Sequence, residues 1–256
     1  MGGELIFLGL ASLLAGLVDA VAGGGGLIQV PALMASLPGE GPARLFGTNK
    51  LASIFGTASA AIRYGRGLRL SWSWLLPAAL AALVCSILGA ATVAWLPRNL
   101  LRPLVLAMLL IVFLQTLCLP NLGLAKRDGW ISYPARKLVA GIIVGAVLGF
   151  YDGFFGPGTG SFLVFLFVRL FGEDYLHASA AAKIVNVASN AGALLYFAPT
   201  AEILWPVAVV MACCNLLGAI LGSHMALVRG NRFVRGVFLV VAAVLMVKIG
   251  YDLWIG

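Results

Sequence analysis

Long apolar runs alternate along the chain with short gaps that carry most of its charge. Runs that could cross a bilayer as helices of about 20 residues lie at 44–64, 72–95, 100–119, 177–197, 203–228 and 233–254. A transmembrane β-barrel would instead show alternating segments of about ten residues each. The pattern therefore predicts an all-α polytopic membrane protein.

Four further apolar runs are shorter, and glycine-rich strings join them in two pairs. The first pair, at about 5–18 and 27–37, flanks Asp19 and a run of four glycines. The second pair lies at about 138–151 and 161–171. At 1.5 Å per residue the first run spans roughly 20 Å of a ~30 Å hydrocarbon core. Each pair is predicted to be a re-entrant hairpin, because irregular backbone inside a membrane must be buried in protein or line a cavity.

A shift of 133 positions superimposes the first half of the sequence on the second. It carries Gly16 to Gly149, Asp19 to Asp152 and Lys50 to Lys183, to name three matches, which indicates an internal duplication. Each copy holds one short-helix hairpin with a glycine tip plus three transmembrane helices. A re-entrant hairpin returns to the side from which it started, so each copy crosses the membrane three times. Because this number is odd, the second copy enters from the opposite side, which predicts two inverted-topology repeats, as in many secondary transporters. The predicted repeats are 1–119 and 138–256, and a polar linker at 120–137 joins them.

Composition and charge placement support a membrane location. Of the 256 residues, 62% are hydrophobic and only 10% are charged, whereas soluble domains are nearer a quarter charged. The net charge of +8 sits in the short gaps, which is the topology signal of a membrane protein and not of nucleic-acid binding. The more basic side, at 63–69, 126–137 and 229–235, is predicted to be cytoplasmic. We therefore expect a multi-pass protein of the bacterial inner membrane with both termini periplasmic or extracellular. The N-terminus has Glu4 and no basic stretch, so no signal peptide is expected.

Cysteine and histidine usage predicts no metal site and no cofactor. The four cysteines lie in apolar surroundings without metal-ligand spacing, and the two histidines are far apart. The predicted spans contain no Ser/His pair and no His-x-x-Glu-His motif, and the chain has no P-loop. We therefore expect neither an enzyme nor an ATP-driven pump.

The glycine strings are the first candidate site. Glycine lets backbone N–H groups approach a ligand, and half-helices that begin at such strings would point their free amides at an anion. The alternative is that the glycines only permit a tight turn or close helix packing. The hydroxyls of Thr159 and Ser161 would either bind the anion or cap the helix locally. The residues of this candidate site are Gly23, Gly24, Gly25, Gly26, Gly156, Gly158, Thr159, Gly160 and Ser161.

Matched charges inside predicted spans form the second candidate site. Lys50 and Lys183 each lie about seven residues into a span, where a charge at the bilayer centre costs roughly 2.5 to 3.5 kcal/mol. They would attract an anion, form structural ion pairs, or snorkel to the interface. Asp19 and Asp152 would pair with these lysines, cap a half-helix, or carry a proton in coupling.

Asparagines on the same segments extend the second candidate site. Asn49 precedes Lys50, while Asn186 and Asn190 share a helix face with Lys183. Such side chains suit a substrate lining and hydrogen bonds between helices equally well.

These residues resemble a known family. The tip from Asp19 to Gly26, the string Thr48-Asn49-Lys50 and the string at 149–161 are similar to those of the TauE/SafE sulfite-exporter family, and the similarity runs along essentially the whole chain. The resemblance implies an inner-membrane permease for sulfur-containing anions such as sulfite or organosulfonates. The halves need not contribute equally, because Ala181-Ala182 stands where the first half has Thr48-Asn49.

Together these features predict a secondary transporter with alternating access that binds a small anion between the glycine tips. An ion gradient or the substrate's own gradient would drive it. The alternatives are an anion channel, a transporter of organic carboxylates and, less favoured, an intramembrane enzyme. The expected partners are the anionic substrate and the lipid bilayer, with no nucleic acid; a homodimer is left open.

Overall fold

The computed structural model describes residues 2–93, 103, 130, 131, 133–200 and 203–255. The regular structure in these ranges is helical throughout. The helices are α1 (Gly2–Ala22), α2 (Gly26–Ser36), α3 (Pro42–Gly67), α4 (Trp72–Thr92), α5 (Pro134–Phe154), α6 (Thr159–Phe171), α7 (Tyr175–Thr200) and α8 (Trp205–Ile255). Helix α8 is broken at Gly230, whose φ is 70°.

The helices confirm the all-α membrane class. Among the described residues, four helices are long and apolar enough to cross a membrane: α1, α4, α5 and the Trp205–Gly230 part of α8. Helices α3 and α7 are as long but carry more polar residues. The predicted span at 100–119 and most of the predicted linker lie outside the described residues.

The prediction that both arms of each hairpin are short is wrong for the first arms. Helix α1 continues through Asp19 to Ala22, and α5 continues through Asp152 to Phe154, each with 21 residues. At 1.5 Å per residue this is about 32 Å. Only the second arms, α2 and α6, are short, with 11 and 13 residues. The apolar run ends at each aspartate, but the helix does not, because a distant lysine neutralises the carboxylate.

The helix boundaries repeat with the same shift of 133 residues. Helices α1 and α5 both have 21 residues, and α3 and α7 both have 26. The shift carries Pro42–Gly67 onto Tyr175–Thr200 and the start of α4 onto the start of α8. The two halves therefore share one order of helices over the part of the chain that the structure describes, with equal lengths for the α1/α5 and α3/α7 counterparts.

Glycine faces allow the two halves to pack closely. Four glycines of α5, at 141, 145, 149 and 153, lie against the backbone of α4, and a Cβ at Gly149 would overlap Ala82. In the counterpart contact, a Cβ at Gly16 of α1 would overlap the backbone of Asn215 on α8. Small residues serve this purpose in membranes, where helices gain stability mainly from close packing.

A polar layer lies between two apolar clusters. Helix α3 passes from Phe46 in one cluster to Tyr64 in the other. The first cluster includes Phe155, whose ring centroid is 5.8 Å from that of Phe46. The second includes Trp74, which packs on Phe171 at 4.4 Å between centroids. The buried polar residues of α3 fall between these clusters, so the candidate site lies in the interior of the bundle.

We expect Gly149→Ala to destabilise the protein, because the new methyl group would overlap the backbone of Ala82 and overpacking typically costs about 1–3 kcal/mol. The measurement is the midpoint of thermal unfolding in detergent. Gly65→Ala is the matched control, since this helical position has no atom within 4 Å of the added Cβ. It should leave the midpoint unchanged or raise it slightly. An equal effect of the two substitutions would contradict the close contact.

Candidate functional site

Two buried ion pairs join the halves of the protein. The Nζ atom of Lys50 lies 2.6 Å from Oδ2 of Asp152. The Nζ atom of Lys183 lies 2.9 Å from Oδ2 of Asp19. The shift of 133 residues converts one pair into the other, so each aspartate binds the lysine of the opposite half. Both lysine side chains are at most 3% exposed, which does not fit snorkelling and matches the alternative of mutual pairing.

Further hydrogen bonds satisfy the carboxylate of Asp19. Its Oδ1 accepts the backbone N–H of Gly25 at 3.2 Å, and its Oδ2 accepts the hydroxyl of Thr57 at 3.3 Å. Asp19 therefore caps the first glycine tip as well as pairing with Lys183, which combines two roles that the sequence left as alternatives.

Asp152 has a similar but more buried environment. Its Oδ2 accepts the hydroxyl of Ser189 at 2.7 Å. The same hydroxyl lies 3.1 Å from the backbone oxygen of Asn186, so it has two acceptors within reach. A buried carboxylate with both an ion pair and a hydroxyl donor meets the conditions under which burial of a charge is tolerated.

The two glycine tips touch each other. A Cβ at Gly23 would overlap the backbone of Gly160 and Ser161, and the Ser161 hydroxyl donates to the carbonyl of Gly23 at 3.0 Å. Glycines with positive φ turn both tips: Gly23, Gly24, Gly156 and Gly158. Side chains other than glycine rarely adopt this conformation, so the close approach of the tips depends on these positions.

The two hydroxyls of the second tip serve the tips themselves. Thr159 donates to the carbonyl of Gly156 at 2.8 Å, and Ser161 donates across to Gly23. Of the two interpretations that the sequence allowed, local capping matches the geometry of Thr159, while Ser161 joins one tip to the other.

A small polar cavity lies beside the tips. The predicted residues that line it are Asp19, Gly24, Gly25, Gly26, Asn49, Lys50, Asp152, Gly156, Gly158, Thr159, Gly160, Asn186 and Asn190. Three predicted residues are not part of its lining. Gly23 and Ser161 are engaged with each other, and Lys183 is fully enclosed behind Asp19.

The prediction missed three residues of the lining: Ser53, Thr57 and Asn215. Ser53 and Thr57 are the counterparts of Asn186 and Asn190 under the shift of 133 residues, so the duplication contained the signal that would have found them. Asn215 has no such signal, because its counterpart is Ala82. Its side chain reaches the lining because it donates to the backbone of Ser12 at 3.3 Å.

Several polar atoms beside the cavity have no partner among the described residues. The N–H groups of Gly24, Gly26, Gly158 and Gly160 take no part in the backbone hydrogen bonds that close the tips. Asn49 is 5% exposed, and its Oδ1 accepts no hydrogen bond. An unpaired buried acceptor costs about 1–3 kcal/mol, and unpaired amides at helix starts are suited to anions. The cavity can therefore supply both donors and one acceptor to a ligand.

Comparison with known proteins identifies the family. A family model described as "Sulfite exporter TauE/SafE" matches residues 8–249. The chain belongs to the TauE/SafE family. This confirms the resemblance seen in the glycine strings and establishes a membrane transporter.

Relatives across the TauE/SafE family match nearly the full length of the chain. A probable membrane transporter protein, YfcA, of Escherichia coli (strain K12) is 37% identical, with 98% of this chain and 90% of the relative covered. A probable membrane transporter protein of Haemophilus influenzae is 35% identical, with 97% and 95% covered. A third, ORF9 of Sinorhizobium sp, is 33% identical, with 98% and 97% covered. No solved structure matches the chain.

For this TauE/SafE protein we expect Asp19→Asn to destabilise the fold strongly, since it leaves the fully buried ammonium of Lys183 without a counter-charge. Breaking one side of a buried pair typically costs about 3–5 kcal/mol. The double variant Asp19→Asn/Lys183→Met removes both charges and should recover most of that loss. Thermal or denaturant unfolding in detergent measures the change in stability of the single variant and of the double variant.

The half-buried surface pair of Glu40 and Arg44, 2.9 Å apart, provides the control. Glu40→Gln should change the free energy of unfolding by only about 0–1 kcal/mol. A double variant no more stable than Asp19→Asn would contradict the pairing.

Proposed function

We propose that this protein is a secondary transporter of small sulfur-containing anions, such as sulfite or organosulfonates, across the bacterial inner membrane. The anion binds in the cavity between the two glycine tips, and alternating access exposes this cavity to either side. The observation that carries the proposal is the meeting of the two tips around unpaired glycine N–H groups and the buried ammonium of Lys50. The family description, which names sulfite, supports the choice of substrate class.

Hydrogen-bond donors, and not net charge, make the cavity suitable for an anion. The two lysines and two aspartates carry opposite charges that sum to zero when all four are ionised. The remaining attraction comes from the Lys50 ammonium, which lies close to Gly156, and from the amides at the start of α6. Helix starts and successive backbone N–H groups form concave anion sites in many proteins, and a small oxyanion fits such a site.

We further propose that the two repeats have inverted topology. The hydroxyl of Tyr64, near the end of α3, donates to the carbonyl of Ala20, near the end of α1. Near their starts, Leu8 of α1 and Leu45 of α3 belong to one apolar cluster, so the two helices run in the same direction. Helix α4 follows α3 through a short turn at 68–71 and runs back.

Helix α5 runs parallel to α4, because successive glycines of α5 meet successive turns of α4. Gly141 lies against Trp74, and Gly153 lies against Ser86. The α5 helix then runs opposite to α1, its counterpart in the first repeat. This relation supports an inverted arrangement, in which the two tips approach the middle of the membrane from opposite sides.

The placement of basic residues supports a cytoplasmic location for one end of the bundle. Arg66 lies in the last turn of α3, Arg69 follows that helix, and Arg136 lies in the first turn of α5. The contact of Gly67 with Leu227 brings the basic end of the Trp205–Gly230 segment to the same place. By the positive-inside rule this end faces the cytoplasm, and both termini then lie on the periplasmic side.

Reconstitution in proteoliposomes tests the proposed function. We expect saturable flux of labelled sulfite or methanesulfonate. The double variant Lys50→Met/Asp152→Asn should reduce it more than tenfold while the protein still inserts. This variant removes a buried pair without leaving an unpaired charge, so a loss of flux reports on the site and not on misfolding. Glu40→Gln, at a half-buried ion pair outside the cavity lining, is the control.

Other outcomes of the same assay discriminate among functions. Full flux in the double variant would remove the site assignment. Preference for carboxylates would favour a carboxylate transporter, and flux that does not saturate would favour a channel. A chemically altered product would indicate an enzyme.

We also expect Asn49→Leu to keep or raise stability while lowering anion flux. The substitution removes a buried acceptor that has no partner, and leaving such a group unpaired is costly. Residues kept at a cost to stability are typical of binding sites. Unfolding in detergent and flux in liposomes give the two values, and a loss of stability with unchanged flux would assign Asn49 a structural role instead.

A further inference from the structure

We propose that the Asp152–Lys50 pair couples each transported anion to one proton, so that transport is electroneutral. A proton binds the carboxylate of Asp152 when the anion takes its place as the counter-charge of Lys50. The inference rests on the proposed function, since it requires that the anion bind in this cavity.

The burial of charge imposes the coupling. The side chains of Lys50 and Asp152 are each 3% exposed, and their charges cancel. An anion that entered alone would leave one uncompensated negative charge in a water-poor interior, which is strongly unfavourable. Adding one proton to Asp152 restores neutrality, because the ammonium and the anion then form the pair. The site stays neutral both empty and loaded, with one proton per anion.

The geometry selects this pair over its counterpart. Lys50 and Asp152 both line the cavity, whereas Lys183 does not. The Nζ atom of Lys50 also lies 3.0 Å from the position that a Cβ would take at Gly156, beside the unpaired amides of the second tip. An anion there reaches the ammonium and the helix start together. Asp19, in contrast, holds the N–H of Gly25, so its charge maintains the first tip.

The surroundings of Asp152 accommodate both protonation states. With a charged carboxylate, the Ser189 hydroxyl donates to Oδ2 at 2.7 Å. With a protonated carboxyl, the same hydroxyl accepts the new O–H and donates to the backbone oxygen of Asn186, 3.1 Å away. The proton comes from water on the loading side and returns to water on the other, so no further reactant is needed.

The ionisable groups around Asp152 are few within the described chain. Lys50 faces it from α3, and Tyr151 neighbours it on α5. Asp19 on α1 lines the same cavity and is itself bound to Lys183 on α7. Asp19 pairs with Lys183, which does not line the cavity. Asp152 is therefore the carboxylate that an entering anion can replace as the counter-charge of a lysine in the lining.

The first test measures stoichiometry in wild-type proteoliposomes. Labelled methanesulfonate is the probe, because it remains an anion at every working pH and cannot carry the proton itself. A trapped pH dye reports proton movement, and valinomycin with a potassium gradient sets the membrane potential. We expect one proton per sulfonate and a flux that the potential does not change. Sulfonate flux without proton movement would overturn the coupling and leave the proposed function standing. Absence of both sulfite and methanesulfonate flux would refute the proposed function instead.

The second test uses Asp152→Asn, which mimics the protonated state. Wild-type affinity for the anion should rise about tenfold for each unit that the pH falls, by linkage to one bound proton, whereas the affinity of the variant should not change with pH. The variant should retain exchange of internal for external anion but lose accumulation driven by a pH gradient. Accumulation that persists in Asp152→Asn would overturn the proposal.

The duplication offers a matched control for this variant. Asp19→Asn/Lys183→Met removes the counterpart pair, and the flux that it retains should still move one proton per anion. Anion flux without protons in this control would assign the coupling to Asp19 and overturn the proposal for Asp152. Where a variant fails to fold, the wild-type stoichiometry decides the question.

Discussion

The cost of a buried charge governs this structure. Each of the four central charges would cost about 2.5–3.5 kcal/mol or more if it stood alone at the bilayer centre. The protein offsets this cost by pairing charges between its halves. The aspartate of each half forms an ion pair with the lysine of the other, Asp152 with Lys50 and Asp19 with Lys183. Among the described residues, neither half contains a complete pair of this kind. Each half therefore needs the other to neutralise its buried charge. The ion pairs lie near the place where the two glycine tips meet.

Close packing makes the crossing possible. A lysine side chain reaches an aspartate on another helix only if the helices carrying them are held near one another. The glycines that put α5 against α4 and α1 against α8 provide that approach, and the same residue type lets the tips turn with positive φ at Gly23 and Gly156. Two apolar clusters seal the polar layer above and below. The result is a small polar cavity inside an apolar bundle.

The sequence predicted what depends on local pattern and on repetition. Apolar runs located the helices, and the shift of 133 residues located the two aspartates and two lysines that form the buried ion pairs. The prediction from apolar runs was wrong at the ends of α1 and α5, because an aspartate ends an apolar run but does not end a helix. The carboxylate of Asp19 is neutralised by a lysine 164 residues away, and no window along the chain contains that information. Asn215 escaped for the same reason, whereas Ser53 and Thr57 were within reach of the repeat.

The departures from symmetry carry as much meaning as the symmetry. The inverted arrangement proposed above would give two faces of similar energy, which suits a site that opens to either side. The cavity itself is not symmetric: the shift of 133 residues carries Asn49 to Ala182 and Gly56 to Ser189. The hydroxyl that can serve both protonation states of a carboxylate thus stands at Asp152, beside the lysine that lines the cavity. At Asp19 the neighbouring hydroxyl belongs to Thr57, and the paired lysine, Lys183, is fully buried. The duplication thus contains two equivalent ion pairs that differ in their relation to the cavity. Both members of the Lys50–Asp152 pair line it, whereas only Asp19 of the other pair does, and the proposed exchange of charge is therefore assigned to the first pair.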